Sequence, residues 1–177
     1  MIEQLFSIPV FKTKVKNFNA IQNEITEGLK NSKFSMNPNW GRTHYLSDPT
    51  FSENWLTKHS CNTLLSEIDT CVKEYQASIA LTFSRDDYKM KDSWVALFKE
   101  HNYGHIHHHG IDISGVYYYK VKGTTGNLFF KSSRDWQGRI NTVSEEGLLY
   151  LFPSDLEHGI TTNTTNKSRI SISFNLV

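Results

Sequence analysis

The sequence predicts a mainly β fold with some helix, in which N-terminal helices pack on one sheet of a jelly roll. Two observations predict it. Apolar residues recur at helical spacing in the first half of the chain, whereas the second half divides into short strand-like segments separated by turn signals such as Thr125-Gly126 and Gln137-Gly138. Two helices followed by about eight strands are typical of a jelly roll that carries helices on one face.

Size and composition predict one domain over residues 1–177. Hydrophobic residues make up 38% of the chain and charged residues 21%, which is ordinary for a globular protein. We divide the domain into an N-terminal strand with supporting helices, 1–90, and a jelly-roll core, 91–177. The net charge of +1 provides no field that would attract nucleic acid or an anionic membrane, so we expect neither as a partner.

The N-terminus and the cysteines predict a cytoplasmic protein. The segment MIEQLFSIPVFKTKVKNF does not resemble a secretory signal, and no apolar run approaches the ~20 residues of a membrane span. Cys61 and Cys71 fall in one helical segment, where their side chains would point about 80° apart. A disulfide between them is therefore not expected.

The predicted elements follow from periodicity and turn residues. IPVFKTKVKNF alternates like a strand, and a helix capped by Asn19 is expected to run through Asn31. A second helix is expected from Ser52 to about Ala80, after a loop, Phe34–Thr50, that is either a lid over the barrel mouth or a plain crossing over the helices. The strands expected after residue 90 are Ser93–Lys99, Ile113–Val121, Asn127–Lys131, Arg139–Val143, Gly147–Phe152 and Ser168–Val177.

The segment HNYGHIHHHG holds five of the chain's eight histidines. Neutral imidazole is the commonest protein ligand for borderline metals, and histidines at positions i and i+2 of an extended segment point to the same side. His105 with His107, and His107 with His109, are two such pairs. On this segment alone, a solvated polar loop is the alternative to a metal site.

Two further features lie near the C-terminus. His158 follows the apolar run Leu148–Phe152 and a turn at Pro153, so a later strand could present a third ligand and leave coordination positions open. The terminal segment RISISFNLV alternates polar and apolar residues from Arg169 onward. Its apolar face is expected on the helices and its polar face in the barrel mouth; an edge strand with its polar face in water is the alternative.

The sequence contains four blocks in order: the H-x-H segment, SGVYYYK, LFPSDLEHGI and RISISFN. With these blocks the chain resembles the 2-oxoglutarate and iron(II)-dependent oxygenase superfamily, and more narrowly a branch found in marine bacteria and their phages. The resemblance covers roughly Trp94 to Asn175. It implies a double-stranded β-helix, or cupin-like, fold. It also implies a dioxygenase that uses iron(II), 2-oxoglutarate and O2 to hydroxylate a small-molecule or peptidyl substrate, with release of succinate and CO2.

The resemblance implies roles for particular residues. The metal ligands that it implies are His107, His109 and His158. The residues that it implies for 2-oxoglutarate are Arg169, whose guanidinium would bind the far carboxylate, Ser171 and Tyr118. His105 with His107 remains an alternative first pair. Because the superfamily usually supplies an acid as one ligand, Asp112 is an alternative as well.

Two other classes of protein compete with the oxygenase. A cupin that holds another metal through the same histidines would explain them, but not the placement of Arg169 and Ser171. A non-catalytic binding module with a solvated histidine loop would explain neither the Phe-Pro-Ser…His turn nor the Arg-x-Ser strand. Six aromatic residues could form pocket walls, although ordinary core packing is the alternative for each: Trp94, Phe98, Tyr103, Tyr117, Phe129 and Phe130.

Overall fold

A computed structural model describes residues 8–36, 38, 41–78, 87–123, 125–131 and 138–177. The helices are α1 Phe18–Lys30, α2 Trp55–Lys58 and α3 Asn62–Ser78. The strands are β1 Phe11–Lys14, β2 Ser35–Met36, β3 Tyr45–Leu46, β4 Met90–Phe98, β5 Gly104–His107, β6 Ile113–Lys120, β7 Leu128–Lys131, β8 Arg139–Asn141, β9 Leu148–Pro153, β10 His158–Ile160 and β11 Arg169–Leu176. Within these ranges, no helix has the length and apolar character needed to span a bilayer.

The strands form two antiparallel sheets. The larger has seven strands in the order β1-β9-β6-β11-β4-β3-β2, and the smaller has four in the order β5-β10-β7-β8. The predicted mainly β fold with helices on one sheet is therefore confirmed. Because β1 lies beside β9, the N-terminal part of the chain shares a sheet with the C-terminal part. We infer from this pairing that 1–90 and 91–177 form the single domain that was predicted.

Strand β11 separates the two sides of the larger sheet. Its apolar residues Ile172, Phe174 and Leu176 belong to a core that also contains buried residues of all three helices, such as Ile21 and Leu64. Its polar residues are directed to the opposite face, where Arg169, Ser171, Ser173 and Asn175 line a cavity. The predicted alternation is confirmed, and the polar face looks into the barrel.

The predicted helices differ from the observed ones at their ends. Asn17, and not Asn19, precedes α1; its backbone N–H and its side-chain amide donate to the buried Glu67 carboxylate at 3.1 and 2.8 Å. The helix predicted from Ser52 to Ala80 is two helices, because Ser60 adopts a left-handed backbone (φ 53°) between α2 and α3. Periodicity could not reveal this interruption, and Ala80 itself lies outside the described residues.

The segment Phe34–Thr50 contains two short strands, so its prediction as a loop is wrong in part. β2 pairs with β3, and β3 pairs with β4 through Tyr45 opposite Leu97 and Leu46 opposite Ala96. The segment thereby extends the edge of the larger sheet and brings His44 and Leu46 to the cavity wall. Whether it also acts as a lid stays a prediction.

All six strands predicted after residue 90 are present. Two others were missed, β5 and β10, which have four and three residues. Both are short and polar and contain a glycine, so they carry little apolar alternation. They pair with each other in the smaller sheet.

We predict that Glu24→Ala lowers the free energy of unfolding by about 1 kcal/mol, as loss of an N-terminal cap does. The Glu24 carboxylate accepts hydrogen bonds from the backbone N–H and hydroxyl of Thr63, at 2.9 and 2.6 Å, in the first turn of α3. The side chain of Cys61, which precedes α3, has no oxygen that could cap the helix. Urea unfolding measures the change.

Glu27→Ala is the matched control, because Glu27 lies on the same helix and makes only an exposed ion pair with Lys30. Such a pair contributes about 0.5 kcal/mol or less. Equal losses of stability in the two variants would contradict the capping role of Glu24.

Candidate functional site

Three histidines converge where the two short strands of the smaller sheet meet. His107 ends β5 and lies opposite His158, the first residue of β10, in the antiparallel pairing. His109 follows two residues later. One ring nitrogen from each of the three lies within 4.8 Å of the others. The ring centroids of His107 and His158 are 4.4 Å apart.

Backbone carbonyls fix the orientation of two of these rings. His107 Nδ1 lies 2.8 Å from the carbonyl oxygen of His105, and His158 Nδ1 lies 2.8 Å from that of Leu156. Because a carbonyl oxygen only accepts, each Nδ1 carries the proton and donates it. Each Nε2 is then left with a lone pair, which is the arrangement usual for a metal-ligating histidine.

Burial keeps the histidine cluster neutral. Burial, together with charge repulsion from the adjacent His107, lowers the pKa of His109 to about 4 and that of His158 to about 3. Burial also lowers the pKa of His107. The three imidazoles are therefore uncharged at physiological pH, and uncharged imidazole is the form that binds a metal ion.

His109 is oriented by side chains instead of by the backbone. Its Nδ1 lies 3.4 Å from the amide nitrogen of Asn175, which also donates to Asp92 at 2.7 Å. The Asn175 oxygen accepts from the Ser114 hydroxyl at 2.9 Å, and Ser114 in turn pairs with Ser154. Sequence reasoning placed Asn175 on the polar face of its strand, but gave no sign that it contacts a histidine.

The alternative ligands lie elsewhere. His105 is exposed and its ring packs against Tyr103, with centroids 5.0 Å apart. Asp112 is exposed as well, and its backbone carbonyl accepts from the N–H of Ser154. Within the part of the chain that the structure describes, the group able to hold a metal consists of His107, His109 and His158. Their role as ligands stays a prediction.

Arg169 lies fully buried at the other end of the cavity. Its guanidinium carbon is 4.9 Å from the ring centroid of Phe98 and 5.0 Å from that of Tyr118. None of its three side-chain nitrogens has a hydrogen-bond partner among the described residues, and the Tyr118 hydroxyl has none either. Burial lowers the pKa of Arg169, and the nearby Tyr118 hydroxyl opposes that shift.

A buried guanidinium without a hydrogen-bond partner indicates a binding site for an anion. Guanidinium stays protonated in proteins, and an uncompensated buried charge costs several kcal/mol. A carboxylate matches the planar donors of Arg169 through two parallel hydrogen bonds. Ser171 also lines the cavity, and Tyr118 contacts Arg169 from the side. The donors present therefore fit a dicarboxylate that extends from Arg169 towards the histidines.

The cavity walls confirm two of the six predicted aromatic residues. Trp94 and Phe98 line the cavity. They lie opposite Ser173 and Arg169 in the pairing of β4 with β11, on the face that looks into the barrel. The other four are not among its lining residues: Tyr117 belongs to the core under the helices, Phe130 to a second core, Phe129 is buried, and Tyr103 is 38% exposed.

His44 is a cavity residue that sequence reasoning missed. It is buried and stacks on Phe98, with ring centroids 4.6 Å apart and planes within 5°. Its Nδ1 lies 3.1 Å from the Thr43 hydroxyl. Burial, together with the charge of Arg169, lowers the pKa of His44 to about 4, so the ring adds no second cation there. It lies in the segment predicted as a loop, where no periodic signal pointed to the cavity.

We predict that Asn175→Ala weakens the binding of Co(II) to the histidine cluster by about tenfold, the lower end of the effect of residues that orient metal ligands. Without the amide, the His109 ring is free to rotate and must be ordered when the metal binds. Isothermal titration calorimetry measures the affinity. Ser173→Ala is the control, since Ser173 lies on the same face of β11 without a hydrogen bond to the described residues. Wild-type affinity in both variants would show that Asn175 does not orient His109.

Comparison with known proteins shows which family the segment that carries this site is similar to. Residues 92–175 match a family model described as "Putative 2OG-Fe(II) oxygenase". The matched segment contains the three clustered histidines, Tyr118, Arg169 and Ser171. A search of curated proteins finds no match.

Solved structures share the fold. The epimerase SnoN from nogalamycin biosynthesis, in complex with Fe3+, alpha ketoglutarate and nogalamycin RO, is 13% identical with a TM-score of 0.70, over 96% of this chain and 79% of its own. A Pseudomonas putida prolyl-4-hydroxylase is 13% identical with a TM-score of 0.66, over 96% and 93%. The viral collagen prolyl hydroxylase from Paramecium Bursaria Chlorella virus-1, a 2OG complex, is 15% identical with a TM-score of 0.60, over 94% of each chain.

At these identities the structural likeness shows the fold alone, which is the double-stranded β-helix that was predicted. The family match supplies what the fold cannot, because it covers the strands that carry the candidate site. Residues 92–175, just under half of the chain, are thus similar to the 2OG-Fe(II) oxygenase family, and the chain shares its fold with these solved structures.

Proposed function

We propose that the chain is a dioxygenase that holds iron(II) through His107, His109 and His158 and the far carboxylate of 2-oxoglutarate through Arg169. The observation that carries the proposal is the buried guanidinium without a partner, which lines the same cavity as three neutral imidazoles. In the overall reaction, a substrate C–H bond becomes C–OH. One oxygen atom of O2 enters the product, the other enters succinate, and 2-oxoglutarate loses CO2.

The residues of the chain have distinct tasks in this reaction. When bound, iron(II) supplies the redox chemistry that activates O2. In this proposal Arg169 neutralises and orients one carboxylate of 2-oxoglutarate, and the hydroxyls of Ser171, which lines the cavity, and of Tyr118, whose ring contacts Arg169, donate to the same carboxylate. Trp94 and Phe98 make the cavity wall apolar, which excludes water and strengthens the electrostatic interactions inside.

The charge of the site suits a dianion. Three neutral imidazoles leave the charge of a divalent metal uncompensated, and the guanidinium of Arg169 adds another positive charge. 2-Oxoglutarate brings two carboxylates, one for each end of the cavity. A cupin-like protein that binds only a metal would need the histidines, but would have no use for an unpaired guanidinium in its interior.

The proposal also covers the partners of the enzyme and its cellular compartment. We expect O2 and a small-molecule or peptidyl substrate as its partners, and no nucleic acid. Cys61 and Cys71 are free and buried, and burial raises the pKa of their thiols to about 12 and about 11. Unreactive free thiols support a reducing compartment, which for this protein we take to be the cytoplasm.

We predict that Arg169→Met weakens the binding of 2-oxoglutarate by about a hundredfold, since a charge-assisted pair of hydrogen bonds is lost. The unfolding free energy of the metal-free protein should not fall, because methionine removes an uncompensated buried charge. Calorimetric titration of 2-oxoglutarate into anaerobic, iron(II)-loaded protein measures the affinity, and urea unfolding measures the stability.

Arg139→Met is the matched control, because Arg139 is an exposed arginine whose guanidinium lies over the Phe129 ring. It should leave the affinity for 2-oxoglutarate unchanged. Iron binding without any response to 2-oxoglutarate would contradict the oxygenase and favour a cupin-like metal protein. An unchanged affinity in Arg169→Met would remove this arginine from the co-substrate site.

A further inference from the structure

A second cavity lies on the outer side of His109. It has a volume of about 290 Å³, and its walls include Phe51, Trp94, Lys91 and Asp92. Phe51, Trp94 and His109 also line the inner cavity that contains Arg169, so the two cavities meet at these side chains. A molecule in the outer cavity would therefore lie directly beside the candidate metal site without occupying the space assigned to 2-oxoglutarate.

One wall of this outer cavity is aromatic, and one of its residues has an energetically unfavourable backbone conformation. The rings of Phe51 and Trp94 meet edge to face, with centroids 4.9 Å apart. Phe51 has a left-handed backbone (φ 53°), which is unfavourable for a bulky side chain. The Asp48 carboxylate fixes the surrounding turn by accepting backbone hydrogen bonds from Ser52 at 2.6 Å and Glu53 at 2.8 Å. The position of the Phe51 ring is thus imposed by its surroundings.

The other wall carries two opposite charges side by side. A shift of register in the pairing of β4 with β11 puts Asp92 opposite Asn175 and Met90 opposite Leu176, so Lys91 has no partner across the strands. Lys91 makes no hydrogen bond or ion pair with the described residues. Asp92 is half-buried and accepts from Asn175 through one oxygen, while its other oxygen has no partner in the described part of the sequence.

The chemistry of the ligand follows from the groups that line the outer cavity: the Lys91 ammonium and one oxygen of the Asp92 carboxylate have unused hydrogen-bonding capacity, and they lie beside an aromatic wall. Lys91 is exposed and Asp92 is half-buried. A ligand with one charge would pair with only one of them, and a lone cation at Asp92 or a lone anion at Lys91 would gain only one charge-assisted interaction. A ligand with both charges satisfies both. The volume lies at the lower end of the range for small-molecule sites.

We propose that the outer cavity is the substrate site and that it binds a free α-amino acid with an apolar side chain. Its carboxylate faces Lys91, its ammonium faces Asp92, and its apolar group lies against Trp94 and points to His109. This inference rests on the proposed function. The reaction at the site converts one C–H bond of that apolar group to C–OH, and O2 and 2-oxoglutarate are consumed to give succinate and CO2.

Calorimetric titration of single amino acids into anaerobic protein loaded with iron(II) and 2-oxoglutarate tests the inference. The probes are L-leucine, L-isoleucine and L-phenylalanine, each compared with its N-acetyl and its carboxamide form. We expect at least one free amino acid to bind. Its two derivatives should bind about tenfold more weakly, because each lacks one of the charge-assisted hydrogen bonds.

Two variants locate the binding. Lys91→Met should weaken the binding of the amino acid about tenfold. The control is Lys89→Met, which changes an exposed lysine two residues away and should leave the affinity unchanged. Gly110→Leu should block the amino acid, because Gly110 lines the outer cavity and a Cβ there meets no atom within 4 Å. The affinity for 2-oxoglutarate is measured in every preparation.

The possible results distinguish failure of the amino-acid site from failure of the proposed oxygenase function. Binding of 2-oxoglutarate without binding of any free amino acid would overturn the inference and leave the oxygenase intact. Wild-type affinity for the amino acid in both Lys91→Met and Gly110→Leu would overturn it as well. Failure of 2-oxoglutarate to bind would overturn the proposed function and the inference together.

Discussion

The alternation of polar and apolar residues along β11 is the constraint on which the rest of the structure depends. This strand lies between β4 and β6 in the middle of the larger sheet, so both of its edges are hydrogen-bonded to neighbouring strands. Its apolar face fixes the helices through residues such as Ile172 and Phe174. Its polar face can only look into the barrel, and it places Arg169 and Asn175 at two positions of one cavity. One strand thus joins the stability of the domain to the construction of the site.

The cavity is built from groups that the fold alone leaves unsatisfied. The guanidinium of Arg169 and the hydroxyl of Tyr118 are buried without hydrogen-bond partners among the described residues. The apolar core under the helices provides the stability that offsets them. Such exceptions to the rule that buried polar groups are paired indicate where a ligand is expected. Here they mark the end of the cavity that a carboxylate of 2-oxoglutarate would occupy.

The histidine cluster shows a different division of tasks. Two short strands of the smaller sheet bring His107 and His158 together, and backbone carbonyls fix both rings. His109 lies beyond the end of its strand, where the backbone offers it no such partner, and contacts Asn175 of the larger sheet instead. The cluster therefore requires both sheets, with β5 and β10 supplying histidines and β11 supplying the contact that orients the third.

The sequence by itself determined the fold class, six of the eight strands described from Met90 onward, and the residue types and order of the candidate site, because alternation and histidine spacing are local properties. It left open His105 and Asp112 as alternative ligands, and it gave no sign of His44 or of the contact between Asn175 and His109. These depend on which strands pair and in what register. Pairing is set by contacts between distant segments, such as β3 with β4 and β5 with β10. Only the tertiary structure decides those contacts, since a shift of one residue would turn each side chain to the opposite face.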